Sequence, residues 1–194
     1  MTEVAIILLA AGASTRMKPA DKLLEFIDGT PLILRQLRRC CAASGDVTVV
    51  LHEGDAKRRA WITDSPARVI TTPERAMSAS LRAGIAGCTA PAAMVVLADM
   101  PDITTKDMET LLAAHRANPE DIIQATTADG RPGQPVIFPA KYYADIAQLT
   151  GDAGAKPIVQ ANGARRIALP AEHAITDLDT PEDWAAWRAR ASEA

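Results

Sequence analysis

Short apolar runs with strand character alternate along this chain with segments of helical periodicity, and that alternation restricts the available folds more than any other feature. Apolar stretches at residues 4–10, 47–51, 68–71 and 93–98 are separated by helical patterns over 31–43, 56–62 and 78–86. In the first of these helices Pro31 occupies the opening turn, Leu32, Leu34, Leu37 and Cys41 form the apolar stripe, and Gly45 lies just beyond the end. Thr104 caps a further helix reaching about residue 117, and 121–127 resume strand character. The run at 93–98 has no polar residue, as expected for a strand covered on both faces. The pattern predicts an α/β fold with a largely parallel sheet and helices on both sides.

The alternation then loosens. Asp129-Gly130-Arg131-Pro132-Gly133-Gln134-Pro135 is dense in turn formers and reads as a loop before a short strand at 136–138. Helical patches at 140–149 and 153–161 follow, then a strand at 166–169. The last helix opens at Thr180-Pro181-Glu182-Asp183 and carries Trp184 and Trp187. No repeat, low-complexity tract or long linker divides the 194 residues, so a single domain over 1–194 is expected.

A hydrophobic fraction of 48% and a charged fraction of 23% are those of a soluble globular protein. The net charge of -3 argues against a general nucleic-acid binder, which carries basic excess. The first apolar run is too short for a signal peptide or membrane span, no lipidation motif is evident, and a cytoplasmic protein without membrane attachment is expected. Cys40, Cys41 and Cys88 form neither a disulfide framework nor a CxxC pair. His52, His115 and His173 are scattered and lack metal-motif partners.

The first strand breaks into a loop of very small residues, Ala10-Ala11-Gly12-Ala13-Ser14, followed by the cations Arg16 and Lys22. Small side chains let a ligand reach the backbone, whose amides can hold phosphate oxygens while the cations neutralise the remaining charge. A dinucleotide fingerprint needs two more glycines, and a P-loop needs Gly before its Lys and Ser or Thr after it; here Asp21 and Leu23 flank Lys22. Taken alone, the loop is equally a tight strand-to-helix connection.

The run at 93–98 ends in Asp99-Met100-Pro101. Ligands in open α/β sheets sit beyond the carboxyl ends of the strands, so Asp99 belongs on the same edge as the Gly12 loop and suits Mg²⁺ beside a polyphosphate. A plain turn aspartate is the alternative. In Asp177-Leu178-Asp179, strand spacing would set both carboxylates on one face, and Asp179 is the candidate second metal ligand; Glu182 and Asp183 suit the helix dipole. Ser78 and Ser80 either cap a helix or contact a base or ribose. Gly130, Pro132, Gly133, Gln134 and Pro135, with residues 151–156, either line an acceptor site or are simple connections.

Seven segments stand in one order: LAAGASTRM at 9–17, Lys22, MSASL at 77–81, LADMP at 97–101, GRPGQPVIF at 130–138, GDAGAK at 151–156 and DLDTPED at 177–183. In that order the chain resembles the molybdenum cofactor cytidylyltransferases and the small MobA-like NTP transferases around them. The resemblance implies a Rossmann-like, GT-A-like three-layer sandwich, CTP and molybdopterin cofactor as substrates, and Mg²⁺. It implies that Leu9, Ala10, Ala11, Gly12, Ala13, Ser14, Ser78 and Ser80 surround the nucleotide. It implies Arg16, Lys22 and Asp99 as the catalytic set and Asp99 as a metal ligand, with Asp179 the candidate beside it. A molybdoenzyme or its chaperone is the protein partner that such an activity implies. Two positions depart from the family: Lys18-Pro19 stands where Gly usually follows Arg-Met, and Ala76 replaces a frequent Gly. Other readings are a guanylyltransferase of the same pathway, whose loop usually reads LAGG, a transferase for another small phosphorylated acceptor, and a non-catalytic nucleotide- or cofactor-binding chaperone.

Overall fold

The computed structural model describes residues 3–17, 19–152 and 154–193. Lys18, one of the departures noted above, and Ala153, the expected start of a helix, lie outside the described residues.

The strands are β1 (Val4–Leu9), β2 (Phe26–Ile27), β3 (Thr30–Pro31), β4 (Val47–His52), β5 (Arg68–Thr72), β6 (Ala92–Leu97), β7 (Ile123–Thr126), β8 (Pro132–Pro139) and β9 (Arg165–Ala168). The helices are α1 (Leu32–Ala43), α2 (Ala56–Ile62), α3 (Met77–Ala86), α4 (Thr105–Ala117), α5 (Tyr143–Ala147), α6 (Lys156–Asn162) and α7 (Pro181–Glu193). Seven strands form one sheet in the order β5-β4-β1-β6-β8-β7-β9, and every pairing is parallel except the two made by β8.

Strand periodicity divides the core into two layers. Val4, Ile6 and Leu8 of β1, with Met94 and Val96 of β6, face a cluster shared with α1, α2, α4 and α7. Ile7 and Leu9, with Val95, face a second cluster shared with α3, α5 and α6. Both faces of β1 are buried, and its alternation sends successive side chains to opposite layers. On the second face α3 lies close to β1, because a Cβ on Gly84 would come 2.5 Å from Cγ2 of Ile7. Burial pushes the Cys40 thiol up to about 12, and all three cysteines are free. Among the described residues no helix is long and apolar enough to cross a membrane.

Three expectations need correction. Residues 132–135 are not a loop but the first half of the eight-residue β8. Pro132 and Pro135 are tolerated because β6 pairs only with residues 136–139, so both run past the end of that ladder. The amide of Gln134 donates instead to the Ala174 carbonyl at 2.8 Å. Asp177 and Asp179 lie in irregular chain, so strand spacing does not place them. The hydroxyls of Ser78 and Ser80 do not cap α3; its N-cap position is Ala76, and Ser80 Oγ donates back to the Ala76 carbonyl at 3.4 Å. The sequence reading also missed the β2–β3 hairpin. Its signal was Asp28-Gly29, both at positive φ (50° and 74°), the two-residue turn that hairpins favour.

Candidate active site

β1 and β6 are parallel neighbours with Leu9 opposite Leu97, so the chain leaves both at the same edge. The Ala98 amide donates to the Leu9 carbonyl at 3.1 Å, which carries the pairing one step further and places Asp99 beside the loop at 10–14. The main chain then ties Asp99 to the C-terminal segment: the Leu178 amide donates to the Asp99 carbonyl at 3.2 Å, and Leu178 is buried beneath it. That contact brings Asp179 to Asp99 across 80 residues of sequence. Below them, the Met100 carbonyl accepts from Gln36 Nε2, and Arg39 Nη1 donates to the carbonyls of Pro101 at 2.6 Å and Ile103 at 2.8 Å. α1 thus holds the turn after Asp99 in place.

Lys22 lies between the two carboxylates. Its Nζ donates to Asp99 Oδ2 at 2.5 Å and to Asp179 Oδ1. Burial opposes the charge on Lys22, but Asp99 and Asp179 outweigh it and hold its pKa above the ordinary value. Arg16, mostly exposed, pairs with Asp179 Oδ2 at 2.8 Å from the solvent side. Asp177 is nearby, and burial, with Asp179 and Asp99 adding to it, pushes its carboxyl up. The structure therefore brings together Arg16, Lys22, Asp99 and Asp179, four residues predicted from separate segments.

The loop itself is braced by residues the sequence reading did not select. Arg58 of α2 is buried; its Nη1 donates to the Ala10 carbonyl at 2.7 Å, its Nη2 to Ser14 Oγ at 3.0 Å and its Nε to Asp21 Oδ2 at 2.7 Å. Arg75 Nη1 donates to the Ala11 carbonyl at 3.0 Å, and its Nη2 pairs with Asp55 at 2.9 Å. In a planar trans peptide the C=O and the next N–H point in opposite directions. Drawing the carbonyls of Ala10 and Ala11 toward these arginines therefore turns the amides of Ala11 and Gly12 the other way. A Cβ on Gly12 would meet nothing within 4 Å, so the loop borders open space. Ser14 has positive φ (48°), and its hydroxyl also donates to Asp21 Oδ1 at 3.2 Å, so that side chain braces the loop. Nothing local distinguishes Arg58 from Lys57 and Arg59 beside it, and only packing shows which cation is buried.

Among the described residues, no group of three or more His, Cys, Asp or Glu gathers closely enough to enclose a metal. The donor set suits Mg²⁺ nonetheless, since that ion takes one or two carboxylates and completes its shell with phosphate oxygens and water. Asp99 Oδ1 is buried without a hydrogen-bond partner among the described residues, which leaves one oxygen free for such an ion.

Of the expected acceptor residues, Pro132, Gly133 and Gln134 line a cavity beside Leu9 and Leu97. Pro135 is buried within β8, and Gly130 sits at a turn with φ 90°. Gly133 is required by packing: a Cβ there would lie 1.9 Å from the Ala174 carbonyl. Ser78 and Ser80 are buried inside α3.

A three-layer α/β sandwich with a small-residue loop, cations and carboxylates at the ends of adjacent parallel strands is the architecture of Rossmann-like nucleotidyltransferases. The sequence profile of the MobA-like NTP transferase domain matches residues 6–167, and the chain belongs to that family. It is 35% identical over 130 residues to the molybdenum cofactor guanylyltransferase of Burkholderia vietnamiensis (strain G4 / LMG 22486). That match takes in 64% of this chain and 62% of the relative, so the chain spans less than two thirds of that protein. Against the molybdenum cofactor guanylyltransferase of Burkholderia cenocepacia (strain HI2424) it is 32% identical over 192 residues, 96% of this chain and 90% of the relative. Among solved structures, Rv0371c of Mycobacterium tuberculosis H37Rv superposes with a TM-score of 0.83 at 23% identity, covering 96% of this chain and 97% of that one. The same protein has been solved in complex with manganese, with a TM-score of 0.79 at 23% identity over 95% and 97% of the two chains. CMP:2-keto-3-deoxy-manno-octonic acid synthetase complexed with CTP superposes with a TM-score of 0.76 at 16% identity over 98% and 99%. These structural likenesses establish the shared fold.

Proposed function

We propose that the protein transfers CMP from CTP to the terminal phosphate of the molybdopterin cofactor and releases pyrophosphate. The observation that carries nucleotidyl transfer is the convergence of Arg16, Lys22, Asp99 and Asp179 beside the loop at 10–14. An oxygen of the acceptor phosphate forms a bond to the α-phosphorus, and the bond from that phosphorus to the pyrophosphate oxygen breaks in line. The nucleophile is already ionised and needs no general base, which suits a site built of cations and carboxylates. The amides of Ala11 and Gly12 receive the phosphate chain, and Arg16 and Lys22 neutralise charge gathering on pyrophosphate. Asp99 and Asp179 would hold Mg²⁺, which supplies charge neutralisation between phosphate oxygens when bound.

The step Ala10-Ala11-Gly12 supports cytosine, because guanine-using members of the family tend to carry Gly-Gly there. Transfer of GMP is the second reading, favoured by the names of the relatives at 32–35% identity. A site hydrogen-bonded to one base leaves buried groups unpaired with the other, which supports discrimination of about 10²-fold or more. Single-turnover competition between CTP and GTP is the test, and a GTP preference would overturn the cytidylyl assignment. Asp99→Asn tests the centre itself: turnover should fall at least about 10²-fold with the thermal midpoint preserved. Activity within about twofold of the parent would remove Asp99 from the mechanism.

A further inference from the structure

Asp55 stands at the N-cap position of α2, yet its side chain caps none of that helix's amides. Aspartate is favoured there because its oxygens ordinarily accept from the first turn. Here both oxygens are engaged elsewhere. Oδ2 accepts from the His52 amide and from Arg58 Nη1, each at 3.2 Å, and Oδ1 accepts from Arg75 Nη2 at 2.9 Å. The side chain is buried, with 7% of its surface exposed. His52 is the last residue of β4, the parallel neighbour of β1, and Val50 lies opposite Leu9. Asp55 is therefore anchored to the sheet at the edge from which the loop at 10–14 departs.

The two arginines that share this carboxylate also share the loop. Arg58 Nη1 donates to the Ala10 carbonyl, while Arg75 Nη1 donates to the Ala11 carbonyl and, at 3.4 Å, to that of Gly12. Arg58 belongs to α2 and Arg75 to the segment before α3, so one carboxylate sets two elements against successive peptide groups. Arg58 has a second acidic partner in Asp21. Among the described residues Arg75 has none besides Asp55. Fixing a long cationic side chain costs rotamer entropy, and a charge-assisted contact offsets that cost. Asp55 thus determines where the Arg75 guanidinium sits.

We propose that Asp55 is a positioning residue for the phosphate chain of the nucleotide. Acting through Arg58 and Arg75, it keeps the carbonyls of Ala10 and Ala11 turned toward the arginines, and the amides of Ala11 and Gly12 are thereby held ready for phosphate oxygens. The proposal rests on the reading of this loop as the cradle of the triphosphate.

Calorimetric titration of the full chain with CTP, GTP, tripolyphosphate and cytidine, Mg²⁺ being present throughout, tests it. Asp55→Asn keeps the shape but leaves one acceptor oxygen and no charge. It should weaken CTP, GTP and tripolyphosphate about fivefold or more and leave cytidine within about twofold. Arg75→Met should do the same. The double variant should lose at least about threefold less than the product of the single losses, because Asp55 acts through Arg75. Arg75→Lys keeps the charge but lacks the fork that spans Asp55 and the loop carbonyls, so it should behave like Arg75→Met. Unchanged tripolyphosphate affinity in Asp55→Asn, equal losses for cytidine and tripolyphosphate, losses that multiply, or parental affinity in Arg75→Lys would overturn the assignment. Arg75 is partly exposed, so its two variants decide the matter should Asp55→Asn fail to fold. A parent that binds no polyphosphate overturns both this assignment and the reading of the loop. A parent that binds CTP and tripolyphosphate but transfers neither CMP nor GMP refutes the proposed function alone.

Discussion

Lys22 is buried with its ammonium shared between Asp99 and Asp179, whereas Arg16 reaches Asp179 from solvent. The two cations should therefore fail differently when removed. Lys22→Ala leaves two carboxylates without the charge between them, and turnover should drop at least about 10²-fold. Arg16→Ala removes a screened contact and should mainly weaken triphosphate binding, by about tenfold or less. Calorimetric titration with CTP and CMP checks both: each variant should lose more affinity for the triphosphate, and equal losses would show that neither cation faces the phosphate tail. Asp21 is one residue whose titration bears on stability. Burial pushes its carboxyl up, and Arg58, with the Leu23 amide and the Ser14 hydroxyl, outweighs burial and holds it below 3.8. The folded chain then binds this proton less readily than the unfolded chain. The stabilisation is complete above about pH 5 and is lost as pH falls through 3.8 toward the lower folded value. Asp21→Asn should flatten the decline in urea stability between about pH 5 and pH 3. A decline as steep as that of the parent would show that the Arg58–Asp21 pair does not contribute.

β8 combines two tasks. Its second half completes the ladder with β6, and its first half runs past that ladder to form the cavity wall with Pro132, Gly133 and Gln134. The Pro-Gly composition of that half reads as a turn because neither residue shows strand propensity locally. The strand forms there because the Gln134 amide finds the Ala174 carbonyl and Thr126 of β7 stands opposite Pro132. Gly133 is the point of closest approach, with the Ala174 backbone where a side chain would be. Gly133→Ala should destabilise by about 1–3 kcal/mol, because backbone rather than a flexible side chain must yield. Equilibrium denaturation checks this, and a change under about 0.5 kcal/mol would mean that the 170–175 loop moves freely away. α2 shows the same dependence on context: Arg58 stands between Lys57 and Arg59, and packing alone buries it against the loop after β1.

At the scale of the whole molecule, the centre is assembled from both ends of the chain. Asp179 lies two residues before α7, and that helix is anchored by Trp184, buried in the layer shared with α1 and α4. Trp187 Nε1 donates to Asp102 Oδ1 at 2.7 Å, which links the same helix to the turn after Asp99. Trp184→Ala should cost about 3–5 kcal/mol and loosen Asp179 together with α7. Thermal unfolding should show the lower stability. Manganese titration below the transition should show weaker binding. Undiminished metal affinity would separate Asp179 from α7 packing.

The alternation of strand and helix, the apolar strands of a covered sheet, and the placement of the Gly12 loop and Asp99 on one edge were legible in sequence. Periodicity is local, and strand ends in a parallel sheet point one way. Family membership was legible in the order of short motifs. Asp179 was selected in sequence, but its pairing with Lys22 was not legible, because the Leu178 contact with Asp99, not strand spacing, sets that carboxylate. Arg58, Arg75, Gln36 and Arg39 were equally silent, since each acts on carbonyls far along the chain. Lys156, Arg166 and the amides of Gln124 and Gln134 meet at one cavity only because β8 runs against its neighbours and sets β7 and β9 beyond it. Sequence by itself determined which elements form and which edge is chemical, because those depend on neighbours within a few residues. Tertiary structure decided which charges meet, because burial and register bring together groups separated by most of the chain.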